Sequence, residues 1–125
     1  MGLRRFAVTA TTDGSGDCTA YSPFLSGYVH QIQYVKTDYT DGVDFTITTE
    51  TTGQTLWTES NVNAAAVKAP RQATHSTAGV AALYASGGTA VNDRVAIGRE
   101  RVKIVIAAGG ATKTGVFHIT VDDGK

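Results

Sequence analysis

Hydrophobic and polar positions alternate with period two through most of this chain, as they do where a strand points successive side chains to opposite faces. The clearest run is Val43 to Glu50. There Val43, Phe45, Ile47 and Thr49 face one way, and Asp44, Thr46, Thr48 and Glu50 the other. The run before it places Tyr28, Ile32 and Tyr34 on one face and Val29, Gln31, Gln33 and Val35 on the other. Between them Asp41-Gly42 can supply the positive φ that a tight turn needs, so Gly27 to Glu50 is predicted to be a hairpin.

The rest of the chain reads similarly. Arg5 to Thr12 is a first strand with Phe6, Val8 and Ala10 on one face, turned by Asp13–Asp17. Cys18 to Ser22 is a short second strand, stopped by Pro23 because proline has no N–H for a ladder. Thr51-Thr52-Gly53-Gln54 reverses the chain into a strand with Leu56 and Thr58 on one side and Thr55 and Trp57 on the other. From Ser60 to Thr77 the alternation stops, and Asn61 is placed to cap a brief helix over Ala64–Lys68 that ends before Pro70. Ala78–Ala85 is apolar and fits a strand or a helical turn; Arg94–Ile97 is a short run that Gly98 ends. Val102–Ala107 and Val116–Val121 form a second predicted hairpin around Gly109-Gly110, apolar on both faces and hence central. About eight strand-like segments at this spacing, without a long repeat, predict one all-β domain over residues 1–125. The expected architecture is a two-sheet β-sandwich of jelly-roll type with one long irregular loop, and Phe45, Trp57 and Ile104 in its core.

Charge narrows the function. Eleven basic and eleven acidic residues cancel, which argues against a protein built to grip nucleic acid. Arg4-Arg5 and the run Arg99–Lys103, interrupted by Glu100, read as solvated strand ends. Cys18 is alone, so no intrachain disulfide is expected and the thiol reads as a small core hydrophobe. No apolar run has the length of a spanning helix, and the first residues lack a signal peptide's apolar stretch. Synthesis in the cytoplasm, without membrane attachment, is the expectation.

Catalytic chemistry is not legible. His30, His75 and His118 sit in separate segments with no second ligand at metal spacing. The aspartates of Asp13–Asp17 and Asp38–Asp44 lack the EF-hand pattern and read as turn formers. There is no G-x-S-x-G, and Gly109–Gly115 places Lys113 before its last glycine, unlike a phosphate loop. No enzyme activity, cofactor or metal is expected. A long polar break in a compact β-domain usually binds something or is disordered, which makes Asn61, Asn63, Lys68, Arg71 and His75 the candidate contact residues.

Four stretches carry a resemblance: Gly27–Lys36, Asp44–Thr48, Ala69-Pro70-Arg71 and Val102–Gly110. With them the chain resembles the small all-β structural proteins of tailed bacteriophages. The resemblance implies a capsid cement or decoration protein that binds the major capsid protein and reinforces the shell. It also implies a homo-oligomer on the virion's capsid surface, with neither nucleic acid nor membrane as partner. A head–tail connector or tail component, or a free ligand- or carbohydrate-binding β-sandwich module, remains the alternative.

Overall fold

The computed structural model describes residues 2–123, and every regular element among them is a β-strand. In chain order these are β1 (Leu3–Thr11), β2 (Cys18–Tyr21), β3 (Leu25–Val35), β4 (Val43–Thr49), β5 (Thr55–Val62), β6 (Ala66–Lys68), β7 (Arg71–Ala73), β8 (Asn92–Glu100), β9 (Val102–Ala107) and β10 (Thr114–Asp122). One sheet has the order β1-β10-β3-β8-β7, with β6 also on β3; the other has β2-β9-β4-β5. All ladders are antiparallel, and the two sheets pack face to face as a β-sandwich.

The chain behaves as one long hairpin. It reverses between β4 and β5, and the two arms then pair in order: β4 with β5, β3 with β8, β2 with β9, β1 with β10. Successive pairs fall in alternate sheets, so the connections between them cross from one layer to the other. This corrects both predicted local hairpins. β3 and β4 lie in different sheets, as do β9 and β10; the reversal at Thr51–Gln54 alone joins ladder partners as expected. The strands themselves are where the alternation puts them, and β9 and β10 are each flanked by strands on both sides.

The inner faces meet around Phe45. Its ring centroid lies 4.8 Å from that of Trp57, 5.2 Å from that of Phe117 and 5.3 Å from that of Tyr34. Val43, Ile47, Ile104, Ile106, Ile32 and Ile119 close the layer on either side, all fully or almost fully buried. Cys18 packs half-buried against this core, and desolvation pushes its thiol up.

Two bulges change which residues face inward. In β3 the ladder with β10 steps from Gln31↔Thr120 to Val29↔Val121, leaving His30 extra. Val29 therefore joins Ile32 and Tyr34 in the core, and Tyr28 is left outside, correcting the predicted faces. In β5 the pairs Trp57↔Ile47 and Thr55↔Thr48 leave Leu56 extra, so Leu56 and Trp57 are both buried instead of pointing apart. The helix expected over Ala64–Lys68 is absent. So few residues cannot offset helix nucleation, whereas β3 offers an open edge, and β6 takes it through Ile32, Gln33 and Tyr34. Nor does Gly98 end its strand; β8 continues to Glu100.

The ends of the sandwich are closed differently. At one, the crossing between β3 and β4 drops Tyr39 into the core, where its hydroxyl donates to the Ala10 carbonyl at 2.6 Å. Its ring lies flat on Gly115: a Cβ there would stand 2.2 Å from Tyr39 Cε2. At the other end the Glu100 carboxylate, 3% exposed, accepts the N–H groups of Thr51 (2.7 Å) and Thr52 (3.0 Å) and the Thr52 hydroxyl (3.0 Å). That buried acid ties the β4–β5 turn to the end of β8.

Phe45→Ala is expected to cost ~3–5 kcal/mol, because Phe45 touches three rings from both layers. Gly115→Ala is expected to cost ~1–3 kcal/mol or more by driving a methyl group into Tyr39. Urea unfolding followed by circular dichroism checks both. A Gly115→Ala protein as stable as the parent would show that Tyr39 is not held where its ring lies.

Candidate functional site

Residues 63–91 leave the sandwich between β5 and β8 and return in two stages. First they bind the sheet edge. β6 lies on β3, β7 on β8 through Arg71↔Arg94 and Ala73↔Asn92, and Pro70 is buried between them. The Arg71 guanidinium donates to the carbonyls of Pro70 (2.7 Å) and His30 (3.4 Å), bracing this segment on the β3 bulge.

Then 74–91 double back as an arm. Thr74 N–H donates to the Val91 carbonyl, Ala82 N–H to that of Thr74 and Val91 N–H to that of Ala82, each at 2.8 Å. Isolated bridges join His75 with Ala81 and Leu83 with Ala90. Tight turns at Ser76–Gly79 and Ala85–Gly88 use Gly79 (φ 80°) and Gly87 (φ 71°), a conformation that costs glycine little. The arm carries three exposed large apolar side chains: Val80 at 66%, Leu83 at 44% and Tyr84 at 76%.

The five candidate contact residues do not form one patch. Asn63 Oδ1 accepts the Gly42 N–H at 2.7 Å, and the Asn61 N–H donates to Asp44 Oδ1 at 2.8 Å; both brace the start of β4. Lys68 and Arg71 follow along the sheet edge, and exposed His75 opens the arm. The break in alternation thus located the segment, while the apolar tip lay in the stretch read as strand or helical turn. Its signal was an apolar run bracketed by Gly79 and Gly87-Gly88.

A second surface assembles at the end of the sandwich near Glu100. The two basic runs, far apart in sequence, meet here around Phe24, which is 60% exposed. The Arg101 guanidinium carbon lies 4.1 Å from the Tyr21 ring centroid and 5.7 Å from that of Phe24, and that of Arg99 lies 5.6 Å from Phe24. Arg4 sits 5.5 Å from the Phe6 centroid. Between them opens a cleft of about 190 Å³ lined by Arg4, Phe6, Phe24, Leu25, Ser26, Val121 and Asp123. Arginine over an aromatic face is attractive and keeps the guanidinium oriented.

Arg101 also grips Glu50 with two nitrogens, Nε on Oε1 at 2.7 Å and Nη2 on Oε2. That hydrogen bonding holds the Glu50 carboxyl below its ordinary value and pushes the Arg101 guanidinium up. Among the described residues, no group of three or more His, Cys, Asp or Glu is arranged to hold a metal ion, and no helix is long and apolar enough to cross a membrane.

Because the folded state favours ionised Glu50, the pair contributes stability at neutral pH that is lost as pH falls through the depressed value. Glu50→Gln is therefore expected to melt below the parent at about pH 7, with the gap narrowing toward about pH 2 as the Glu50 carboxyl takes up its proton. Thermal melts at the two pH values check this. A gap that persists in acid would mean the substitution acts through packing.

No protein-family model matches this chain, and neither a curated protein nor a solved structure matches it.

Proposed function

We propose that the protein is a non-enzymatic structural subunit of a virion, a capsid cement or decoration protein that binds the major capsid protein and stabilises the shell. The observation that carries this reading is the arm. It lies outside the ladders of the two main sheets, and it exposes Val80, Leu83 and Tyr84 to solvent. Exposed apolar side chains concentrated on one projection mark a contact surface, and tyrosine is a favoured anchor because it combines a large apolar face with a polar tip.

The strand orders lend support. We read the orders β1-β10-β3-β8 and β2-β9-β4-β5 as those of a jelly roll, an architecture shared by viral capsid and lectin domains. Such a body is a rigid mount. Weak contacts per copy suffice for cement, since many copies act on one shell. Arg71 has a supporting part: it braces the arm's root and leaves the rest of its guanidinium free to meet a partner carboxylate.

Shells lacking the protein, incubated with purified variants and scored for bound copies and heat resistance, provide the test. Tyr84→Ser is expected to lower affinity for the shell by roughly tenfold or more, as removal of a buried aromatic anchor does. Arg71→Ala should lower it less, and Thr58→Ala, on the outer face of the other sheet, not at all. Equal occupancy for all three would move the contact off the arm. A parent that never binds shells would end the cement reading in favour of a connector or tail component.

A further inference from the structure

The zero net charge conceals a segregation. At the end of the sandwich closed by Tyr39, Asp13, Asp17, Asp38 and Asp41 are all exposed. The cations there, Lys36 and Lys113, are only partly exposed, and Lys36 is engaged by Asp41 at 2.9 Å. Backbone N–H groups of Asp17 and Ser15 bond Asp13 and hold its carboxyl below the ordinary range, so its charge persists well into acid.

The opposite end is the reverse. Arg4, Arg5 and Arg99 are exposed, whereas Glu50, Glu100, Asp122 and Asp123 are buried or half-buried and engaged. Glu50 holds Arg101, Glu100 holds the β4–β5 turn, Asp122 meets Arg94 at 3.0 Å and Asp123 meets Arg4 at 3.7 Å. Arg99 has no ion pair among the described residues. Its backbone is left-handed (φ 51°) and its guanidinium lies over Phe24, one of the residues that line the cleft.

We propose that copies of this chain associate end to end, the aspartate-rich end of one seated on the arginine–aromatic cleft of the next. Charge complementarity selects the occupant, because each end of the molecule presents what the other needs. The acidic end is also pre-organised. Thr40 N–H bonds the Gly109 carbonyl (3.1 Å), Gly109 N–H that of Gly16 (3.0 Å) and Thr112 N–H that of Asp13 (3.1 Å), so little ordering opposes docking. The two ends lie at opposite ends of the same strands, roughly 30 Å apart along β1. The contact is therefore heterologous: a dimer joins two different patches and leaves one of each free, so that further copies extend an open string or close a ring. It is independent of the arm and of the shell reading.

Sedimentation velocity of the full chain across a concentration series tests this, at about 20 mM and about 500 mM salt to vary screening. The parent is expected to form dimers and longer species at low salt and to dissociate at high salt. Arg99→Glu and Asp17→Lys, both exposed and both checked for folding by circular dichroism, should each weaken association at least tenfold. Mixed together they should form one-to-one dimers and nothing longer, because each supplies the end that the other lacks. A parent that stays monomeric at low salt and high concentration overturns the proposal. So does association that ignores salt and both substitutions. So does a monomeric parent that binds a tetra-aspartate peptide, which would hand the cleft to a foreign acidic partner.

Discussion

Among the described residues no backbone ladder joins the two sheets, so the packing of Phe45 against Phe117 carries what hydrogen bonding cannot. The rings meet edge to face at 5.2 Å and 83°, one from each layer, with Tyr34 and Trp57 packed around Phe45. Because paired strands alternate between sheets, every ladder depends on its neighbours across the gap. If the layers separate, each sheet loses the apolar face that makes it a sheet in water. The long-hairpin topology adds a kinetic consequence: β1 must find β10 across nearly the whole chain, and such non-local pairings fold slowly.

The two ends solve the closure problem with opposite chemistry, and that difference gives the surface its polarity. Where the crossings between β3 and β4 and between β9 and β10 meet, an uncharged aromatic plug seals the core, and the aspartates that shape those turns stay outside. Where β4 turns into β5, a buried carboxylate does the sealing, and the arginines beside it are left outward over exposed rings. The segregation of charge is thus a by-product of how each end is shut. One end keeps its carboxylates buried or engaged and presents arginines; the other presents aspartates.

Much of this was legible in the sequence, and the failures share a cause. Alternation reports which residues of a strand share a face, and in β1 and β4 one of the two predicted faces is the buried one. It does not report which strand lies alongside, so crossings between layers were mistaken for local turns; Asp41-Gly42 bends the chain equally well in either role. Bulges at His30 and Leu56 break the period by one residue, which single-sequence reading cannot separate from a change of face. The lost alternation after Ser60 marks where the chain leaves the two main sheets. There, the Asn63 side chain accepts the Gly42 N–H, and the Asn61 backbone N–H donates to the Asp44 side chain. The convergence of Arg4 with Arg99 and Arg101 had no signal at all, since it depends on β1 and β8 ending at the same rim.

The sheet edges explain why contacts should be channelled to the arm and the two ends. An open strand edge is a template for pairing with another chain, and native β-proteins blunt such edges. Here each edge is treated separately. β2 spans only Cys18–Tyr21, too short to template a partner. β5 carries two register breaks, with Asn61 at positive φ, which deform its outer ladder. β6 and β7 cover the edge of β3 and β8, and the arm projects beyond them. β1 begins with Arg4-Arg5, like charges that repel a second copy laid alongside. With lateral pairing discouraged on these edges, the two associations we propose run through the exposed apolar tip and the oppositely charged ends.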